Sequence, residues 1–232
     1  MKEIFDNYLE NAFGQREQAK FKFIQFEQNY KKYFPVNREA KVLDIGIGRG
    51  EMLESVKRWG YRNYLGVDIS PSIINFCKSL GYNCELVEDT TKWLLIHQNS
   101  FEAITLLDVL EHIPKNSTVE FLNALYGALT PGGTLIIQTP NLQCPDGLLH
   151  RYNDFTHEFG YTEHSLQQVL LTAGFKDIKF AGFEEYILDN YKKYIGKLLR
   201  SIYWKYVSFT RKITNNLTPE ILNPVFYAVV RK

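Results

Sequence analysis

The chain reads as an α/β fold built on a doubly wound, mostly parallel sheet. Three observations predict it. From Lys41 onward, short apolar runs alternate with segments of helical periodicity, as a parallel sheet covered by crossover helices requires. The first run, Val42–Ile45, breaks into glycines at alternate positions and restarts as a helix at Glu51. Polar residues then recur at the ends of later runs, where open sheets of this kind hold their ligands.

Residues 1–34 read as helical, with Phe13, Phe21, Phe23, Ile24, Phe26, Tyr30 and Phe34 among charges, and Pro35 ends the segment. After the first strand, Glu51–Trp59 reads as a helix stopped by Gly60, and Tyr64–Ile69 as a second strand. Ser70-Pro71 supplies an N-cap with proline at the first helical position, opening a helix to about Leu80. Cys84–Val87 is expected to be a third strand, and Thr91–His97 a short helix or loop. Phe101–Leu107 is a fourth strand and Ser117–Leu129 a helix with Val119, Leu122, Leu125 and Leu129 on one face. Pro131-Gly132-Gly133 reads as a turn before a fifth strand, Thr134–Thr139. An irregular stretch follows, then a helix over Thr162–Ala173 closed by Gly174, a strand over Asp177–Ala181, and a last strand over Val225–Val230.

A chain of 232 residues can bury one sizeable α/β core with an appendage. The expected organisation is a helical cap over 1–38, a ligand-binding core over 39–183, and a basic, aromatic helical insertion with a final strand over 184–232. No apolar run approaches the ~20 residues that span a bilayer, and Met1–Asp6 has no signal-peptide pattern. Cys77, Cys84 and Cys144 form no Cys-x-x-Cys pair, which suits a reducing cytoplasm without disulfides or thiolate zinc. From Glu184 to the end there are nine Lys/Arg against four Asp/Glu, although the whole chain carries only +1. A near-neutral body argues against nucleic acid as a partner and leaves room for a local anionic one.

The strand ends carry the chemistry. Gly46-x-Gly48-x-Gly50 lacks the Gly-x-Gly-x-x-Gly spacing of dinucleotide folds, and Asp44 precedes it. A negative charge there suits an ammonium or sulfonium ligand better than a diphosphate. Asp68, ending the second strand, can accept hydrogen bonds from both ribose hydroxyls of a nucleoside, or cap the helix after Ser70. Asp89, followed by Thr90, can accept from an exocyclic amino group or stand as a surface acid. After the fourth strand comes Asp108-Val109-Leu110-Glu111-His112-Ile113-Pro114, a polar cluster that faces a cleft if the strand is central.

In order and spacing these segments resemble the class I S-adenosylmethionine-dependent methyltransferases. The segments are Val42–Gly50, Leu65–Ser70, Val87–Asp89, Leu107–His112 and Leu129–Thr134, and the likeness covers roughly residues 40–182 plus the final strand. The resemblance implies a Rossmann-like, seven-stranded sheet whose last strand, Val225–Val230, is antiparallel. It implies S-adenosylmethionine as cofactor. Asp44, Gly46, Gly48 and Gly50 would face its methionine part and sulfonium, Asp68 and Ile69 its ribose, and Asp89 and Thr90 its adenine. Leu107 and Asp108 would lie near the transferred methyl. No Asn/Asp-Pro-Pro-Tyr/Phe motif follows the fourth strand, which turns the expectation from nitrogen toward oxygen acceptors.

The acceptor side is expected in His150–Glu158. Asp154 and His157 are read there as an oriented base and Arg151 as a holder of an anionic group; the other reading is a hydrogen-bonded lid with a structural His157. Asp108, Glu111 and His112, at i, i+3 and i+4, would meet on a helical turn and suit Mg²⁺ or Mn²⁺, although the leading expectation carries no metal. The 151–166 stretch and Ala12–Glu17 also look like methyltransferases of bacterial surface-polysaccharide pathways. That likeness implies a sugar or sugar phosphate of a glycan as acceptor, with Tyr8 and Arg16 closing over the cofactor. A phenol or quinone-type metabolite is the alternative acceptor, and a non-catalytic cofactor-binding protein the alternative class. The tail over 190–213 interleaves aromatics with lysines and arginines, so it reads as a helix against the body or a second subunit, or as a peripheral contact with the inner face of a membrane.

Overall fold

The structure is a computed structural model and describes residues 22–185, 191–215 and 221–232. Seven strands form one sheet: β1 (Val42–Ile45), β2 (Tyr64–Asp68), β3 (Cys84–Leu86), β4 (Phe101–Leu107), β5 (Leu129–Pro140), β6 (Lys179–Gly182) and β7 (Val225–Arg231). Their order is β3-β2-β1-β4-β5-β7-β6, with β7 antiparallel to both neighbours and the other pairs parallel. The doubly wound, seven-stranded α/β architecture is therefore as expected. The order reverses between β1 and β4, and a crevice opens there at the carboxyl ends of the strands.

Every residue of β1 is buried, because helices cover both faces of the sheet. On one face Leu43 and Ile45 pack with Ile104, Leu106, Phe121, Leu125 and Leu135. On the other, Val42 packs with Phe26, Tyr30, Met52, Val56 and Tyr227. The second group matters for the site. It anchors α1 (Lys22–Asn29) over β5 and β7, where Tyr30 meets Tyr227 edge-on at 5.1 Å between ring centres. Phe26, Tyr30 and Phe34 are thus part of the core. The remainder of the expected N-terminal helix, with Tyr8 and Arg16, lies outside the described residues.

The crossover helices form where their caps dictate. The first, α2 (Glu51–Arg58), starts on Gly50 in the left-handed region (φ 78°) and carries Glu51 and Glu54 in its first turn, Lys57 and Arg58 in its last. Ser70 caps α3 (Pro71–Ser79), and Asp89 caps α4 (Thr90–Leu95). Phe121, Leu122, Leu125 and Ala128 of α5 (Thr118–Ala128) are buried in the core, and α6 (Gly147–Tyr152) is a short helix in the stretch expected to be irregular. A reciprocal pair between Thr162 and Ser165 opens α7 (Glu163–Thr172), in the manner of a capping box with serine in the acid's place. The last helix, α8 (Tyr191–Asn215), sits between β6 and β7.

One expected boundary shifts. Pro131-Gly132-Gly133 does turn, with Gly132 at φ 78° and the register to β4 broken between Leu129 and Thr134, but the turn is a bulge inside β5, which runs from Leu129. The chain's end supplies the reason: Gly132 N donates to the Lys232 carbonyl at 3.0 Å, and Lys232 N to the Gly133 carbonyl at 3.1 Å. The last strand therefore carries pairing across the turn.

Candidate functional site

A cavity of about 770 Å³ occupies the crevice at the switch point, within the size range of ligand pockets. Its floor is Asp44 to Gly48, with Asp68 and Ile69 on one side. Glu88 to Thr91 form the rim, and Leu107 to Pro114 the opposite wall. Lys22 and Phe26 of α1 close one flank, and His150, Asn153, Asp154 and His157 the acceptor flank.

Asp44 sits at the bottom, 2 % exposed, with Oδ1 accepting from Thr105 Oγ1 at 2.6 Å. Burial pushes its carboxyl up to about 8; the Thr105 hydrogen bond opposes this, and Asp68 and Glu51 add to it. Asp44 is thus held close to neutral until a positive group arrives, which sharpens the simple charge argument from sequence. Gly46 (φ 72°) is fixed by contact as well as conformation, since a Cβ there would stand 2.2 Å from Val109 Cγ2.

Asp68 is also buried. Its Oδ1 accepts from Ser70 N at 2.8 Å, and burial lifts its carboxyl to about 6 against the amides of Ser70, Gly48, Ile47 and Ile69. Ser70 Oγ does the helix capping, so Asp68 remains at the cavity wall. Asp89 stands at the rim and is committed on both oxygens: Oδ1 accepts from Lys92 N at 3.0 Å and Oδ2 lies 2.9 Å from Lys92 Nζ. Those contacts hold its carboxyl below the usual range.

Two expectations require correction. Gly50 does not line the cavity. It caps α2, and a Cβ there would press 2.8 Å from the Tyr82 ring. Arg151 is absent from the cavity wall as well: its Nη2 donates to the Glu158 carbonyl at 2.9 Å and its guanidinium lies over Tyr152. The loop closes on itself there, and an anionic group in the cavity is not held by this arginine.

The wall after β4 is strained. Asp108 has φ 55°, a conformation that non-glycine residues rarely adopt outside sites that need it. That geometry aims Oδ2 at Gln138 Nε2, 2.7 Å away, and Gln138 Oε1 in turn accepts from the Tyr30 hydroxyl. Asp108 opens onto the cavity, yet the protein around it raises its carboxyl, with Lys22, Gln138 and His157 opposing.

The expected pairing of Asp154 with His157 is replaced by a different one. Asp154 Oδ1 accepts from Thr156 Oγ1 at 2.6 Å, and Thr156 Oγ1 lies 2.8 Å from His112 Nδ1. Because the threonine proton is given to Asp154, Nδ1–H of His112 is the donor to Thr156, and Nε2 is the ring's basic nitrogen. His157 instead has Nδ1 3.1 Å from the His150 carbonyl, which can only accept, and its ring meets His112 at 4.8 Å. Within reach of these rings lies Glu111, 2 % exposed; neither carboxylate oxygen has a hydrogen bond of good geometry among the described residues, and only its own amide and the Thr139 hydroxyl stand near enough to favour the anion. Burial, then Asp108, keeps its carboxyl well above the usual range.

Glu111, His112 and His157 place one ligand atom each within 4.8 Å of one another. One carboxylate and two imidazoles suit a divalent transition cation. This trio supplants the one suggested by sequence spacing, because Asp108 turns into Gln138 and a 3₁₀ turn over Leu110–His112 replaces the expected helical one.

Sequence reasoning did not single out Gln138, Tyr30 or Lys22 as site residues, and it gave Thr156 and His150 no individual role within the 150–158 stretch. His112 and Glu111 were visible as members of a cleft-facing polar cluster and as metal candidates, not as a base and its neighbour. The one signal for Thr156 was its place in the polar 150–158 stretch, and nothing local could pair it with a histidine 44 positions away.

The floor acids, the ribose-side acid and the cavity between them fit S-adenosylmethionine: Asp44 and Asp108 offer negative charge to a sulfonium and ammonium, and Asp68 an acceptor to a diol. The comparisons agree. Residues 14–179 match the methyltransferase domain family model. A ubiquinone biosynthesis O-methyltransferase from Xanthomonas campestris pv. campestris is 32% identical over 111 residues, which is 44% of this chain and 44% of that relative. The corresponding enzyme of Xanthomonas axonopodis pv. citri is similar to the same degree, so the chain matches less than half the length of these curated relatives. In structure, a SAM dependent methyltransferase from Archaeoglobus fulgidus superposes with TM-score 0.70 at 24% identity, covering 97% of this chain and 98% of that one. Phosphoethanolamine N-methyltransferase 2 of Haemonchus contortus, solved with S-adenosyl-L-methionine, gives 0.63 at 16%, covering 98% and 60%. These two structural likenesses speak to the fold alone. With the family model spanning most of its length, the chain belongs to the methyltransferase domain family, class I of the S-adenosylmethionine-dependent enzymes, and S-adenosylmethionine is its cofactor.

Proposed function

We propose that the protein is an O-methyltransferase whose acceptor is a small phenolic hydroxyl compound. One observation carries this reading: the His112–Thr156–Asp154 hydrogen-bond chain on the cavity wall. A hydroxyl acceptor must lose a proton as its oxygen is methylated. A phenol sheds that proton to a single imidazole, whereas a sugar hydroxyl calls for a stronger base or a metal. The names of the Xanthomonas relatives support the phenolic class and lend nothing to a glycan.

When bound, S-adenosylmethionine supplies a methyl carbon made electrophilic by the attached sulfonium. The chain's own residues do the rest. Asp68 fixes the nucleoside end, Asp44 the positive end, and Phe26, Met52 and Phe121 exclude water from the wall. His112 Nε2 takes the acceptor proton, and the positive charge that results is stabilised through Thr156 by Asp154. Holding the acceptor in line is the larger part of the rate.

The test is methyl transfer from labelled S-adenosylmethionine to a panel of catechols, hydroxybenzoates, hexoses and amines, preceded by titration with S-adenosylhomocysteine. The expected result is transfer to the phenols and a loss of roughly 10²–10⁴-fold in His112→Ala. Exclusive transfer to a sugar would restore the glycan acceptor suggested by the 150–158 loop. Exclusive transfer to an amine would overturn the oxygen chemistry.

A further inference from the structure

The structure turns α8 inside out. In a helix on a globular body the apolar stripe faces inward, and at 100° per residue the two sides of α8 are easily told apart. The half-buried side carries Arg200, Trp204, Val207 and Arg211. Its ties to the body are polar: Arg211 Nη1 donates to the Gln143 carbonyl at 2.6 Å, Arg200 Nη1 lies 3.6 Å from Glu185, and Lys197 Nζ lies 3.3 Å from Glu184. The opposite side carries Ile195, Leu198, Leu199, Ile202, Tyr206 and Phe209, each more than half exposed. Among the described side chains of α8 none is buried. This face is a continuous apolar strip along a helix of 25 residues, roughly 37 Å long.

Its charge decides what can cover it. The helix holds seven Lys/Arg and no Asp/Glu, and Lys192, Lys205 and Lys212 fall at the borders of the apolar strip in the helical projection. No described helix is long and apolar enough to cross a membrane. A second copy would lay one all-basic helix against another. An anionic surface with an apolar interior satisfies both features, with side-chain ammonium groups at the phosphates and the apolar strip among the acyl chains.

We propose that α8 is an interfacial helix that docks the enzyme on anionic lipid bilayers, apolar face down. The proposal does not depend on the acceptor class. Through the Arg211 contact to Gln143, which precedes α6 and the acceptor loop, docking also places the cavity's acceptor flank near the lipid-bound element.

The experiment is flotation of the full chain with vesicles of phosphatidylcholine alone and of phosphatidylcholine with phosphatidylglycerol at about three to one. The anionic vesicles are expected to carry the protein and the neutral ones not. Raising salt from 50 to 500 mM should weaken binding at least about 10-fold, since surface charge attraction is screened. Leu198→Asp with Ile202→Asp should abolish flotation while leaving S-adenosylhomocysteine binding and the melting temperature unchanged, because both positions are exposed. No flotation with anionic vesicles overturns the proposal. So does flotation that the double variant retains. A concentration-dependent dimer that the same variant dissolves, without lipid binding by the wild type, would assign the face to a second copy instead.

Discussion

Thr156 Oγ1 stands 2.8 Å from Nδ1 of His112, joining the loop after α6 to the wall after β4. This hydroxyl links the ring to Asp154 and favours a proton on Nδ1. If this bond positions the base, removing it should slow transfer without loosening the cofactor. Thr156→Val is expected to lower kcat/KM by roughly 10- to 100-fold, within the range of general-base effects, with the affinity for S-adenosylhomocysteine unchanged. Thr156→Ser, which keeps the hydroxyl, should recover most of the loss.

The pH profile gives the base a signature. Burial, then His157, lowers the His112 pKa, while Asp154 and the backbone carbonyls of Thr156 and Asp108 raise it. As the proposed base, His112 works only when neutral, so activity is expected to fall as pH drops through its folded value. The acid limb of kcat/KM should therefore lie below the ordinary imidazole value of about 6.5. Asp154→Asn removes an anion that favours the imidazolium, so the limb should move further toward acid. A limb that stays in place in this variant would detach Asp154 from the base.

Asp44 should reveal itself in stability. Its folded carboxyl is raised to about 8 by burial, so the native state binds the proton more tightly than the unfolded chain does. The stability it contributes is complete below the unfolded value of about 3.9 and is lost as pH rises through the folded one. In the absence of cofactor, the melting temperature of the wild type should fall between about pH 5 and 8 more steeply than that of Asp44→Asn, and level off above that. The amide retains an oxygen for Thr105 but cannot ionise. The same variant should bind S-adenosylmethionine at least about 10-fold more weakly, a single lost charge-assisted contact being worth about 1.5–3 kcal/mol.

Chelation separates the roles of the histidine cluster. With His112 as base, transfer should survive EDTA unchanged. A cation entering between Glu111, His112 and His157 has to displace the proton that burial keeps on Glu111. Thermal stabilisation by Mn²⁺ should accordingly be larger at pH 8.5 than at pH 6 and absent in Glu111→Gln. Activity lost in EDTA and restored by Mg²⁺ would assign proton removal to a metal site.

The parallel order of the sheet, the glycine turn after β1 and the acids at 44 and 68 were legible in the linear sequence, because each depends on local periodicity or on the end of a strand. So was the cofactor, through the order in which those elements recur. The partners of the candidate site's side chains were not. Asp154 and His157 are close in sequence, yet backbone geometry sends one carboxylate to Thr156 and one imidazole to the His150 carbonyl. Asp108 is one turn from Glu111, yet its left-handed backbone delivers it to Gln138 on β5, with Tyr30 behind. The α8 periodicity was visible too, but which side faces water depends on what the helix leans on. Sequence fixes which groups each element carries. Only the packing of distant elements decides which of them meet, because those contacts close over separations as long as the 108 residues between Tyr30 and Gln138.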